Sequence, residues 1–149
     1  MSQLPQSVSA PMVELHHVCR YFGRFSAVHG LSLAVRRGEI LGLIGPNGAG
    51  KTTTIRMIAG YLAPSAGSLK VCGHDVEAEP VEARRHLGYL PENAPTWPEM
   101  SVESFLRFSG EIRGLRGRPL AAALERVVAA CDLGDVRHEP TGCLSKGYR

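Results

Sequence analysis

The sequence predicts an α/β fold, and three observations carry that reading. An apolar run, Ile40-Leu41-Gly42-Leu43-Ile44, enters a glycine-rich stretch reading GPNGAGKTT from Gly45 to Thr53, and then an apolar pattern of helical spacing. Strand-like alternation is concentrated in the first half of the chain. Helical apolar stripes dominate the second. At 149 residues, 44% hydrophobic and 21% charged, the chain has the size and composition of one globular domain or part of one.

In order, the first eleven residues, MSQLPQSVSAP, lack the basic and apolar regions of a secretory signal and are expected to form a flexible tail. Met12 to Val18 has short β-like character, and Leu31, Leu33 and Val35 alternate as a half-buried strand does. Arg36-Arg37-Gly38-Glu39 is turn-like, and Ile40 to Ile44 reads as a short buried strand. After the glycine-rich stretch, Ile55, Ile58, Ala59 and Leu62 mark a helix with Gly60 as its cap. Pro64-Ser65-Ala66-Gly67 is turn chemistry, Leu69 and Val71 alternate again, and Val81 to Leu87 suggests a short helix. Pro91 to Pro98 holds three prolines, which predicts an ordered, irregular loop. Val102, Phe105, Leu106, Ser109 and Ile112 share one helical face, with Ser101 as N-cap and Gly114 past the end. Leu120, Leu124, Val127, Val128 and Cys131 form a second stripe, with Glu125 on the face turned to water.

Composition excludes several function classes. The net charge of +3 is modest, and the basic pairs Arg36-Arg37 and Arg84-Arg85 are separated by neutral or acidic sequence, so no direct nucleic-acid binding is expected. Cys19, Cys72, Cys131 and Cys143 show neither C-x-x-C pairing nor zinc spacing, and are expected as reduced thiols, mostly small core residues. The six histidines do not cluster; His16 and His17 are adjacent, and neighbours on a strand point to opposite faces. No apolar stretch approaches the ~20 residues of a membrane span.

Gly45, Gly50, Lys51 and Thr52 occupy the four fixed positions of the phosphate-loop pattern G-x-x-x-x-G-K-[ST]. A triphosphate concentrates negative charge and must be approached closely. Gly45, Gly48 and Gly50 allow that approach, with Pro46, Asn47 and Ala49 completing the cradle. The helix starting near Lys51 adds unpaired N–H donors and about half a positive charge at its N-terminus. Lys51 is expected to reach the β- and γ-phosphates, Thr52 to ligate Mg²⁺, and Thr53 to bond the α- or β-phosphate.

From Met12 onward the chain resembles the ATP-binding subunit of an ABC transporter. The resemblance is carried by four stretches. Besides the loop, Arg20-Tyr21-Phe22-Gly23 resembles the A-loop, where an aromatic ring, here Phe22, stacks on adenine. Gly88-Tyr89-Leu90-Pro91-Glu92 resembles the Q-loop, which couples the Mg²⁺ site to a transmembrane partner, with Glu92 where most members have glutamine. A carboxylate is a hard oxygen donor and suits Mg²⁺ directly or through water. Leu144-Ser145-Lys146-Gly147-Tyr148 matches the signature LSGGQ at its first, second and fourth positions, so Ser145 and Gly147 are the implied contacts to the γ-phosphate held by another subunit. YLPE and LSKGYR are similar to an exporter branch that includes gliding-motility and drug-efflux ATPases.

The resemblance implies a P-loop NTPase fold of ABC type. Residues of about 12–92 would form a β-rich core with the phosphate-loop strand and helix, and about 93–149 part of a helical subdomain, with the sheet incomplete. It implies ATP and Mg²⁺ as cofactors, a dimer of ATP-binding subunits (homo- or hetero-) sandwiching nucleotide, and a transmembrane permease partner that holds the subunit at the cytoplasmic face. In the family the Walker B strand with its Asp and catalytic Glu, the D-loop and the switch histidine follow the signature, whereas this sequence ends at Arg149. The chain alone is therefore expected to leave Ile40 to Ile44 as an unpaired apolar edge, to be marginally stable, and not to hydrolyse ATP. Two other readings remain open at this point: a non-transport ABC ATPase of DNA repair or translation, and a short nucleotide-binding regulator without turnover.

Overall fold

A computed structural model describes residues 10–92, 96–145 and 147. The expected tail, residues 93–95 of the proline-rich loop, and Lys146 and Tyr148 of the signature-like stretch therefore lie wholly or largely outside the described residues. The chain divides into two compact units, Met1–Tyr89 and Leu90–Arg149.

The first unit is built on a four-stranded antiparallel sheet: β1 (Val13–Phe22), β2 (Phe25–Val35), β3 (Ala66–Val71) and the two-residue β4 (His74–Asp75), in the order β2-β1-β3-β4. Leu15 pairs with Leu33 on one side and Leu69 on the other, which fixes the apolar face. Leu15, Val18, Leu69 and Val71 are fully buried, and Val28, Met57, Val76 and Ala83 complete the core. Leu15 and Val18 are three residues apart, so strict alternation would put them on opposite faces. A bulge resolves the conflict: pairing shifts register between them, His17 takes a φ of 47°, and its N–H donates to Ser32 Oγ at 2.9 Å. As a consequence His16 and His17 are both exposed, rather than one in and one out.

One helix lies between β2 and β3 in sequence and a second follows β4. α1 (Lys51–Ile58) buries Thr54 and Met57, and α2 (Pro80–Arg85) buries Ala83, starting one residue earlier and ending two earlier than its sequence pattern suggests. α1 ends as expected at Gly60, whose φ is 72°. Gly60 N–H donates to Met57 O and Tyr61 N–H to Arg56 O, the two bonds of a Schellman cap.

One expectation fails here. Ile40 to Ile44 forms no strand: Ile40 and Ile44 are 98% and 99% exposed, and only Leu43 is half-buried. A two-sided apolar strand is stable only between neighbours that satisfy its backbone and cover both faces. Among the described strands the pairing runs β2-β1-β3-β4 and includes no such neighbour, so the segment stays irregular. Leu41 and Leu43 contribute instead to an apolar groove of about 220 Å³ with Val13, Leu33, Val35, Ile55 and Ile58.

The second unit packs α3 (Val102–Ile112) on α4 (Gly117–Ala130), with a 3-10 turn at Thr141–Cys143. Ser101 caps α3 as expected, its Oγ accepting from Ser104 N at 3.2 Å. Gly114 (φ 86°) closes α3 with a second Schellman pair, Gly114 N to Glu111 O and Leu115 N to Gly110 O. α4 ends by the same geometry on Asp132 (φ 53°), a non-glycine cap the sequence did not flag. Val102, Val128, Leu133 and Leu144 form the core. Trp97 packs edge-on against Phe108 and tilted against Phe105, and Thr141 Oγ1 donates to Trp97 O, which orders the end of the proline-rich loop. Arg137 bridges Glu103 (2.9 Å) and Glu125 (2.8 Å), so Glu125 is solvent-facing as expected and also paired. Those bonds hold the Glu103 carboxyl below its ordinary range, first through Arg137 and then through Arg107, and hold Arg137 above its own.

The cysteines depart from expectation. Cys19 alone is buried; Cys72 is half-buried, and Cys131 and Cys143 are exposed. Cys131 falls at the cap of α4, where the apolar stripe has run out. No helix among the described residues is long and apolar enough to cross a membrane.

Candidate functional site

The glycine-rich stretch forms a tight loop that closes directly onto α1. Ala49 N–H donates to Pro46 O at 3.3 Å, and Gly48 and Gly50 sit at φ 83° and 84°. Gly50 has a second constraint, since a Cβ there would lie 2.3 Å from Ala27 O and 3.0 Å from Val28 Cγ2. The absent side chain lets the loop seat against β2. Gly45 is freer; its Cβ would meet only Ala49 Cβ, at 3.3 Å.

Gly50 is also the N-cap of α1 and supplies no side-chain acceptor. Thr54 N–H is the first satisfied within the helix, by Gly50 O at 2.8 Å. The N–H groups of Lys51, Thr52 and Thr53 thus belong to the unpaired first turn. That turn carries no acidic residue to neutralise the positive end of the helix. Lys51 folds back over the loop, its Nζ donating to Gly45 O and Pro46 O, both at 2.7 Å. Two of the three ammonium donors point the charge across the loop and leave the third for an anion. Asn47 and Thr52 are exposed, Thr53 is half-buried, and Thr54 is buried.

Beside the loop lies a cleft of about 360 Å³, lined by Gly48, Ala49 and Thr54 and by Ser26 to His29 and Leu31 of β2. The sequence reading missed this β2 wall and Thr54. The available signal was Gly50 itself, a glycine whose neighbour had to be backbone. Phe22 stands on the same hairpin. It pairs with Phe25 across the two-residue turn Gly23-Arg24 and is 45% exposed, so it is a surface ring rather than a core aromatic. The structure therefore gathers Gly45, Pro46, Asn47, Gly48, Ala49, Gly50, Lys51, Thr52 and Thr53 in one loop and puts Phe22 on the ribbon that walls its cleft.

The remaining expected residues belong to the second unit. Glu92 is exposed in the segment that opens it, and Ser145 and Gly147 are exposed after the 3-10 turn. Ser145 and Gly147 border an apolar cavity of about 620 Å³ that also takes in Leu106, Leu133 and Leu144.

The model of the family described as ABC transporter matches residues 28–149. The chain belongs to the ABC transporter family. Over 138 residues it is 38% identical to the probable multidrug ABC transporter ATP-binding protein YbhF of Escherichia coli, a match covering 93% of this chain and 24% of YbhF. It is 34% identical to the Nod factor export ATP-binding protein I of Ralstonia nicotianae, covering 95% of this chain and 44% of that one. This ABC family chain thus spans less than half the length of both curated relatives. Among solved structures, an ATP-binding subunit of an ABC transporter superposes with a TM-score of 0.79 at 26% identity, covering 92% of this chain and 58% of the other. A nucleotide-free ATP-binding cassette superposes with a TM-score of 0.71 at 25% identity, covering 91% and 59%.

Proposed function

We propose that this chain holds Mg·ATP for an ABC transporter. The observation that carries the proposal is the loop itself: Lys51, at the uncapped start of α1, lies back across Gly45 and Pro46. The loop N–H groups and Lys51 bind the β- and γ-phosphates, Thr53 bonds the α- or β-phosphate, and Phe22 stacks on the adenine. The donor chemistry suits Mg²⁺. Thr52 offers an exposed hydroxyl oxygen at the first turn, a hard ligand, and the family resemblance alone adds the carboxylate of Glu92. The metal, when bound, neutralises charge building on the γ-phosphate.

In a dimer of ATP-binding subunits, Ser145 and Gly147 contact the γ-phosphate held by the other subunit, and the pair drives a transmembrane permease at the cytoplasmic face. Export is the direction favoured, by the relative named for Nod factor export. By itself the chain binds without turnover: among the described residues, neither the first turn of α1 nor the lining of the 360 Å³ cleft carries a carboxylate to act as base.

Displacement of a fluorescent ATP analogue from the purified chain tests this. Lys51→Ala is expected to weaken Mg·ATP about 10- to 100-fold, the loss of charge-assisted bonds. Unchanged affinity would remove the loop from the site. Phosphate release above the buffer rate that depends on Lys51 would overturn the statement on turnover.

A further inference from the structure

Among the described residues, Arg20 is a cation without an anion: no carboxylate pairs with it, and its Nε is buried with no hydrogen-bond partner. A buried guanidinium nitrogen left unpaired is costly, so its placement calls for a reason. What the guanidinium faces is a ring: its central carbon lies 4.7 Å from the centroid of Phe22. The other end of the group is anchored, with Nη1 donating to Ala63 O at 2.8 Å. The same short segment is tied to β1 twice more, by Ser65 N–H to Cys19 O (2.7 Å) and Tyr21 N–H to Ser65 Oγ (3.1 Å). Arg20 thus joins an exposed aromatic ring at a hairpin tip to the backbone that follows α1.

We propose that Arg20 is a positioning residue for the nucleobase: it covers one face of Phe22 and holds the ring so that the opposite face receives the base. The proposal rests on the reading of Phe22 as the stacking ring. An exposed phenylalanine at a hairpin tip samples several rotamers, and a bound base must select one of them. A guanidinium over one face narrows that choice before binding, through the attraction of a cation for the ring's electron-rich face. Arg20 also forces the base to one side, because its own plane occupies the other. A flat guanidinium stacks in a way that a compact ammonium does not.

The test compares ATP with inorganic tripolyphosphate, which shares the phosphates and lacks the base. Both are measured on the full chain by competition with a fluorescent ATP analogue. Arg20→Gln is expected to weaken ATP about three- to tenfold, the scale of ordering one side chain, and to leave tripolyphosphate unchanged. In a Phe22→Ala background the same substitution should have no further effect on ATP. Arg20→Lys, which keeps the charge and the stem, is expected to fall between wild type and Arg20→Gln, and supplies the comparison if Arg20→Gln loses its far-ultraviolet circular dichroism. Equal weakening of both ligands, or the same loss of ATP affinity without Phe22, would show that Arg20 only props up the hairpin and would overturn the proposal. A Phe22→Ala variant whose preference for ATP over tripolyphosphate equals that of wild type would defeat the stacking reading first, and Arg20 with it.

Discussion

Two apolar stretches of the first unit have opposite fates. Leu15 and Val18 of β1, with Leu69 of β3, are fully buried, while Ile40 and Ile44 are almost fully exposed. By composition alone the second stretch is the better candidate for a buried strand. It is shorter, uninterrupted by polar residues, and bounded by turn residues on both sides. The difference lies in what stands beside each. β1 runs between two antiparallel partners that satisfy its backbone, with Met57 of α1 and Ala83 of α2 completing the core on its apolar face, and Ile40 to Ile44 pairs with none of the described strands. Hydrophobicity makes burial favourable, and a hydrogen-bonding neighbour makes it possible. The phosphate loop that follows is nevertheless well formed. Its shape comes from its own glycines, from contact with β2 and from the start of α1, rather than from the irregular segment before it.

The largest expected effect tests the buried side of that comparison. Leu69→Ala should cost about 2–5 kcal/mol in urea unfolding followed by far-ultraviolet circular dichroism, because it opens a cavity in the core that the sheet shares with α1 and α2. Gly50→Ala comes next, at about 1–3 kcal/mol, since it combines a left-handed φ with a Cβ inside the radius of Ala27 O. If that variant were neutral, the seating of the loop on β2 would be wrong. Ser101→Ala should cost about 1 kcal/mol, read from Trp97, the single tryptophan of the chain, which lies in the second unit. Ile44→Ser should change stability by no more than about 0.5 kcal/mol while raising solubility. A cost comparable to that of Leu69→Ala would mean that Ile40 to Ile44 is a packed strand after all.

The smallest effect concerns pH. The folded-state pKa of Glu103 is depressed by Arg137 and Arg107, so its contribution is present above the ordinary carboxylate value of 4.5 and is lost as pH falls through the lower folded value. Glu103→Gln should therefore be slightly less stable at neutral pH and should flatten the fall in Trp97-monitored stability below about pH 4.5. An unchanged acid slope would mean that the pairing exerts no net effect.

Legibility in the sequence followed locality. The caps at Ser101, Gly60 and Gly114 were readable because each depends on one residue and the turn next to it. Asp132 was not, since its left-handed cap is imposed by Leu133 docking into the core of the second unit. The two long strands were recognised only in part. The pattern shows β1 only as far as Val18 and β2 only from Leu31, because register shifts on either side of Arg20 break the period-2 alternation beyond Val18. Phe22 was found by its place before Gly23, but its hairpin, its exposure and its pairing with Phe25 were not visible.

By itself the sequence determined the chemistry of the phosphate loop and its family. Three glycines, a lysine and a threonine at fixed spacing set the tight turn and its junction with the first turn of α1, and such short-range geometry is written residue by residue. Only the tertiary structure decided which apolar segments are buried, that β2 walls the cleft beside the loop, and that Arg20 lies over Phe22. Those outcomes depend on partners far along the chain, as Leu33 and Leu69 are for Leu15, or on a residue two positions along a strand bent by bulges, where periodicity no longer tells which way a side chain faces.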